Sequence, residues 1–104
     1  MGATMNEDRW VVVTFTYDPA SIAAATTAEQ TVTVPGLRVG DYVADITKPT
    51  LTAGVGIVNC RVSAANTLAV TWVNATAAPV DPPAETYSAY VLRPEKILSG
   101  VVQV

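Results

Sequence analysis

The chain contains no histidine and a single cysteine, Cys60. Without histidine, Ser-His and Cys-His nucleophile pairs and imidazole-ligated metals are excluded. One cysteine permits no disulfide within the chain and no thiolate zinc cluster. Charge is also scarce: 14% of the 104 residues are Asp, Glu, Lys or Arg, with a net charge of −3 and a pI near 4.6. Two lysines and four arginines are spread along the chain. They do not form the basic cluster that phosphate recognition needs, so no nucleic-acid partner is expected. No apolar run approaches the roughly 20 residues of a membrane-spanning helix, so no membrane partner is expected. The start, Met1 to Asp8, lacks the regions of a signal peptide, and Asn6 breaks the myristoylation pattern; the expectation is a protein made and kept in the cytosol.

Half of the residues are apolar. At this size about two-thirds of the open chain's surface should be buried, which suits one domain with one core. Val and Thr supply 31 residues, and β-branching favours the pleated strand. Residues 1–8 are polar and patternless and are expected to form a flexible arm.

From Arg9 to Tyr17 the apolar positions Val11, Val13, Phe15 and Tyr17 alternate with Thr14 and Thr16, the period-two signal of a strand. Trp10 and Val12 blur that alternation, as if the strand were covered on both sides for part of its length. Residues 18–28 read as a loop with at most one helical turn, because Ile22 is their one large apolar residue. Thr31–Val34 alternates again and ends at the Pro35-Gly36 turn. A strand over Asp41–Thr47 places Tyr42, Ala44 and Ile46 on one face and Asp41, Val43 and Asp45 on the other, and Pro49 stops it.

The clearest pattern is a hairpin. Val58, Cys60 and Val62 share a face in the run 55–63, and Leu68, Val70 and Trp72 share one in 67–74. The loop Ala64-Ala65-Asn66 joins them, with Asn66 tolerant of the left-handed conformation. Residues 75–84, with prolines 79, 82 and 83, form an extended connection, and Glu85–Leu92 is a further strand. Residues 94–104 form an apolar tail or added strand carrying Ile97, Leu98, Val101, Val102 and Val104. The sum is an all-β domain over residues 9–93: a small antiparallel β-sandwich or barrel of about six to eight short strands with flexible or extended terminal arms.

Carboxylates are the remaining catalytic currency. Asp41 and Asp45 share the expected strand face, but both stand where solvated acids are common, so no enzyme and no cofactor are expected. Gly54-Val-Gly56 lacks the rest of a phosphate-cradling pattern and reads as a turn or bulge. The sequon Asn74-Ala-Thr76 has no consequence without secretion. Trp10, Tyr42, Trp72, Tyr87 and Tyr90 could stack on sugars or bases, but their size and spacing favour core or subunit interface. Cys60 reads as a buried small hydrophobe.

The sparsely charged surface is the informative feature. Average domains are about 25% charged, and a surface this poor in charge is weakly protected against association. It suits a protein covered in its working state by copies of itself or by a larger partner. The candidate interface residues are Trp10, Ile97, Leu98, Val101, Val102 and Val104, with the tail packing on a neighbour or adding a strand to a sheet edge.

Three stretches carry a resemblance. They are Ala25-Thr-Thr-Ala-Glu-Gln-Thr-Val-Thr-Val-Pro-Gly-Leu-Arg-Val-Gly-Asp41, Lys48-Pro-Thr-Leu-Thr-Ala-Gly-Val-Gly-Ile57 and Arg61-Val-Ser-Ala-Ala-Asn-Thr-Leu-Ala-Val-Thr-Trp-Val-Asn-Ala-Thr76. Across roughly residues 10–93 the chain resembles small virion proteins of tailed bacteriophages, also found in prophages. The resemblance implies a capsid decoration, or cement, protein that is made in the bacterial host's cytoplasm and located on the outer capsid surface of the virion. There it would bind the major capsid protein in many copies and clamp neighbouring capsomers. Closed symmetry makes a homotrimer the first expectation and a dimer the second. The alternative is a receptor- or glycan-binding β-module of a head fibre or tail structure.

Overall fold

A computed structural model describes residues 9–94. Six strands follow one another: β1 (Arg9–Tyr17), β2 (Thr26–Thr33), β3 (Tyr42–Thr47), β4 (Val55–Ala64), β5 (Thr67–Asn74) and β6 (Glu85–Arg93). They form two antiparallel three-stranded sheets, β1-β6-β3 and β2-β5-β4. This is the all-β architecture expected of the sequence, consistent with a small sandwich. The flexible-arm expectation for residues 1–8 and most of the apolar tail lie outside the described residues.

The inward faces supply one core. Phe15, Tyr17, Tyr87, Ala89 and Val91 come from the first sheet and Leu68, Val70 and Trp72 from the second, with Ile22, Val34 and Leu37 added from connections. The β4–β5 hairpin turns at Asn66, whose φ of 60° is the left-handed value expected there. Its Oδ1 accepts the Gly36 N–H at 2.8 Å, which ties the hairpin tip to the Pro35–Leu37 turn. Trp72 Nε1 donates to Tyr17 Oη across the core at 3.0 Å, and Tyr17 Oη donates to Gln30 Oε1 at 2.6 Å. One chain of hydrogen bonds therefore joins β1, β5 and β2. Burial pushes the Tyr17 hydroxyl above its ordinary pKa.

Period-two reading went wrong where the register shifts. In β4 a bulge sets Ile57 opposite Trp72 and Asn59 opposite Thr71, with Val58 as the extra residue. Val55, Ile57, Cys60 and Val62 pack on the core, whereas Val58 is 59% exposed and is not on the Cys60 face. A second bulge in β3 sets Val43 opposite Val91 and Asp45 opposite Tyr90. Val43 and Ile46 therefore point inward and Tyr42, Ala44 and Asp45 outward, correcting the expected Tyr42/Ala44/Ile46 face. Strand β2 is also longer than expected, reaching back to Thr26. Its half-buried positions are Thr26, Ala28, Gln30 and Val32, so the alternation is written mostly in small and polar residues.

Residues 18–25 are the expected loop without a helix, and Ile22 and Val80 form an isolated bridge. Asn74 holds that region together: its Nδ2 donates to the Ile22 and Ala78 carbonyls, and its Oδ1 accepts from the Thr76 N–H and hydroxyl. The sequon asparagine is thus 1% exposed with its amide fully engaged. Gly54 turns the chain into β4 at φ +88°, and any Cβ there would collide with Thr76 Cγ2.

Tyr87 is fully buried, and its hydroxyl has no hydrogen-bond partner among the described residues. Burial, aided by the Glu85 charge, pushes its pKa up to about 12. Deleting an unpaired buried hydroxyl removes a desolvation cost, so Tyr87→Phe should leave stability unchanged or raise it by about 1 kcal/mol. Urea unfolding would measure this, and a loss above about 1 kcal/mol would show that the hydroxyl is bonded.

Candidate interaction face

The outward faces of the two sheets differ in kind. On β2-β5-β4 the outer positions include Thr27, Glu29, Thr31 and Thr33 of β2, Thr67, Ala69 and Thr71 of β5, and Asn59, Arg61 and Ser63 of β4. Arg61 Nε and Nη2 donate to both Glu29 carboxylate oxygens, at 2.8 and 3.0 Å. The pair spans from one edge strand to the other across β5, where Ala69, opposite Arg61, is 1% exposed. This face is hydroxyl-rich and its ion pair is satisfied.

On β1-β6-β3 the outer positions near the start of β1 are apolar. Trp10, Leu92 and Tyr42 are successive cross-strand partners, forming one row across all three strands. Val12 and Tyr90 are partners in the next row, and Asp45 lies beyond them. Trp10 and Tyr90 sit diagonally, ring centroids 4.5 Å apart at 31°. These side chains are open to solvent: Trp10 is 48% exposed, Val12 66%, Tyr42 62% and Tyr90 43%. Further along, Thr14, Thr16, Thr86, Ser88 and Thr47 make the same face polar.

The aromatics thus divide. Trp72 and Tyr87 are core, as expected, whereas Trp10, Tyr42 and Tyr90 are gathered on one outer face. The expected covering of both sides of β1 is not provided by the described residues; Trp10 and Val12 break the alternation because they belong to this apolar patch. Of the candidate interface residues, Trp10 stands in the patch, and Ile97, Leu98, Val101, Val102 and Val104 lie outside the described residues. Tyr42 and Tyr90 are among the aromatics expected in core or subunit interface but not in the named interface set, and Val12 and Leu92 are in neither. What gathers Leu92, Tyr90 and Tyr42 beside Trp10 and Val12 is the placement of β6 between β1 and β3, which strand order alone discloses.

The loop before β3 is clamped to this end of the sheet. Asp41 Oδ1 accepts from Arg93 Nε at 2.8 Å, and Oδ2 accepts from Arg93 Nη2 at 2.7 Å and the Arg38 N–H at 2.9 Å. Arg93 Nη2 also donates to the Gly36 carbonyl at 2.8 Å. The Arg93 guanidinium holds the Asp41 carboxyl below its ordinary pKa, with the Arg38 amide helping, against a burial effect that works the other way. Asp41, expected to be a solvated acid, is therefore enclosed, with its side chain 2% exposed. Asp45 points outward and, among the described residues, accepts from the Ile46 N–H. The two carboxylates do not converge. No group of three or more potential metal ligands occurs among the described residues.

A cleft of about 230 Å³ opens where the bulged strands β3 and β4 diverge, lined by Val43, Asp45, Ile46, Ile57, Val58 and Cys60 among others. Burial pushes the half-buried Cys60 thiol up to about 11. At pH 8 only about one thiol in a thousand is then ionised, so a disulfide reagent should react about a hundredfold more slowly with the native protein than in urea. Equal rates would show an open, activated thiol.

Comparison of the chain with family models, with curated proteins and with solved structures returns no match.

Proposed function

We propose that the protein decorates the outside of a tailed-phage head, where many copies bind the major capsid protein and clamp neighbouring capsomers. The observation that carries this reading is the asymmetry of the two sheets: one turns a paired-charge, hydroxyl face to solvent, and the other exposes Trp10, Val12, Tyr42 and Tyr90 together. Clustered aromatics with little charge are the composition of an interface centre. The resemblance of residues 10–93 to small phage virion proteins supplies the kind of partner. A ligand that binds the assembled lattice better than free subunits stabilises the lattice by mass action, and many weak contacts suffice when copies bridge several capsomers.

Heads of the parent phage lacking this protein, titrated with purified chain, test the reading. Saturable binding at hundreds of copies per head, with a raised temperature of head rupture, is expected. Trp10→Ala and Tyr90→Ala should each weaken occupancy about tenfold or more, the loss typical of a truncated aromatic anchor. No binding to heads would overturn it.

The exposed Trp10–Tyr90 pair also favours a second reading, a receptor- or glycan-binding module of a head fibre or tail, since such rings can stack on sugars. A dozen or fewer copies per virion would decide for it.

A further inference from the structure

Three of the four sheet edges are protected. Strands β3 and β4 carry bulges, and β2 presents Thr27, Glu29, Thr31 and Thr33, with a charge in mid-strand. Among the described residues, nothing of this kind protects strand β1. It pairs with β6 over all nine residues without a register shift, contains neither proline nor glycine, and has one charged residue, Arg9, at its beginning. No described strand lies on its other side. A long, regular, apolar edge of this kind is a template for another strand. Beside it lies a recess of about 130 Å³, lined mainly by Val11, Val13, Pro35, Leu37 and Val91, with Arg9 and Arg93 also in its lining. Val11 faces inward in the strand's alternation yet is 40% exposed.

We propose that the free edge of β1 accepts residues 95–104 of a second copy as an added strand. The segment is long enough. Ten extended residues span about 33 Å and nine-residue β1 spans about 30 Å; residues 97–104 suffice to pair with Trp10–Tyr17. The chemistry fits as well, because Ile97, Leu98, Val101, Val102 and Val104 meet an apolar edge and recess. The donor is a neighbour because of where the described chain ends. Arg93 pairs with Arg9 at the start of β1, so a chain's own tail would have to turn across its own β1 immediately after Pro94. A residue preceding proline is held extended, and no Gly, Asn or Asp stands between Pro94 and Ile97 to make that turn. The addition is β-augmentation between copies, in which main-chain hydrogen bonds supply affinity and alternate side chains supply fit.

This inference rests on the proposed multi-copy role only for the presence of neighbours, and association in solution reads it without heads. Head binding lost while association persists would count against the decorating role alone. The test uses three full-length chains in sedimentation velocity: the natural sequence, Val11→Glu at the edge, and Leu98→Asp with Val102→Asp in the tail. The natural chain should associate. Each variant alone should associate at least tenfold more weakly, and an equimolar mixture of the two should form a 1:1 complex, since one keeps a sound edge and the other a sound tail. Association that survives the tail variant would overturn the proposal, as would a mixture that fails to complex. A monomeric natural chain would overturn it too, assigning the tail to its own copy. Should either variant fail to fold by near-ultraviolet circular dichroism, a synthetic peptide of residues 95–104 in excess should dissociate the natural oligomer. Indifference to that peptide would equally overturn the proposal.

Discussion

Trp72→Ala should lower stability by about 4 kcal/mol, because removing a large buried ring creates a cavity the sheets cannot close. Trp72 is fully buried, tilted against Tyr17 with centroids 6.3 Å apart, and donates its indole N–H to Tyr17. For a domain of this length the whole stability is about 5–15 kcal/mol, so that loss is a large share of it. The separate contribution of the hydrogen bond can be isolated. Tyr17→Phe leaves the buried indole N–H without its acceptor, while Gln30 keeps its two hydrogen bonds to the Ala20 backbone, and should cost about 2 kcal/mol. Trp72→Phe should cost less than Trp72→Ala because most of the ring remains. In the double variant the two losses should add to less than their sum, since the shared bond can be lost only once. Urea midpoints of the natural chain and the four variants measure this, and an unchanged midpoint in Trp72→Ala would contradict the core placement of that ring.

Arg93→Ala should cost about 3 kcal/mol at pH 7, the loss expected when one partner of an enclosed ion pair is removed and the other stays. Asp41 would keep only the Arg38 amide, and Gly36 would lose a donor to its carbonyl. The pH dependence gives the effect its signature. In the natural chain the folded-state pKa of Asp41 is depressed, so its contribution is present above the unfolded value near 4 and is lost as pH falls through the folded value. Glu85, its carboxyl lowered by Lys48, acts in the same direction, so stability should decline on acidification below about pH 4. In Arg93→Ala, burial is offset far less, by Arg38 and not by Arg93, and Asp41 binds its proton more readily. The gap between natural chain and variant should therefore narrow as pH falls below 5. A gap that stayed constant from pH 7 to 3 would remove Asp41 from the account. The clamp bears on the interaction face as well, since it fixes the loop leading into Tyr42 at the end of the sheet where Trp10 and Leu92 lie.

Strand content was legible wherever large apolar residues alternated without interruption. Strand β1 and the β4–β5 hairpin were read within a residue of their ends, as was β6, and Asn66 was recognised from the backbone conformation it tolerates. Faces were legible only as far as the register held. One extra residue at Val58 and another at Ala44 reversed the orientation of what followed, and bulges leave no mark in a two-residue period. Strand β2 was read short because Thr, Ala and Gln occupy its inward positions, and Asp41 was misread because its partner is 52 residues away in sequence.

The amino-acid sequence by itself determined the fold class: little charge, no imidazole, one thiol, and β-branched residues in period-two runs punctuated by Gly, Pro and Asn. These are local or compositional properties, and any fold must respect them. Only the tertiary structure decided which rings are core and which are surface. Trp72 and Tyr87 face the opposite sheet, while Trp10, Tyr42 and Tyr90 meet on one outer face because β1 and β3 flank β6. Neighbours across a sheet are set by strand order, a long-range choice that no short window of residues encodes.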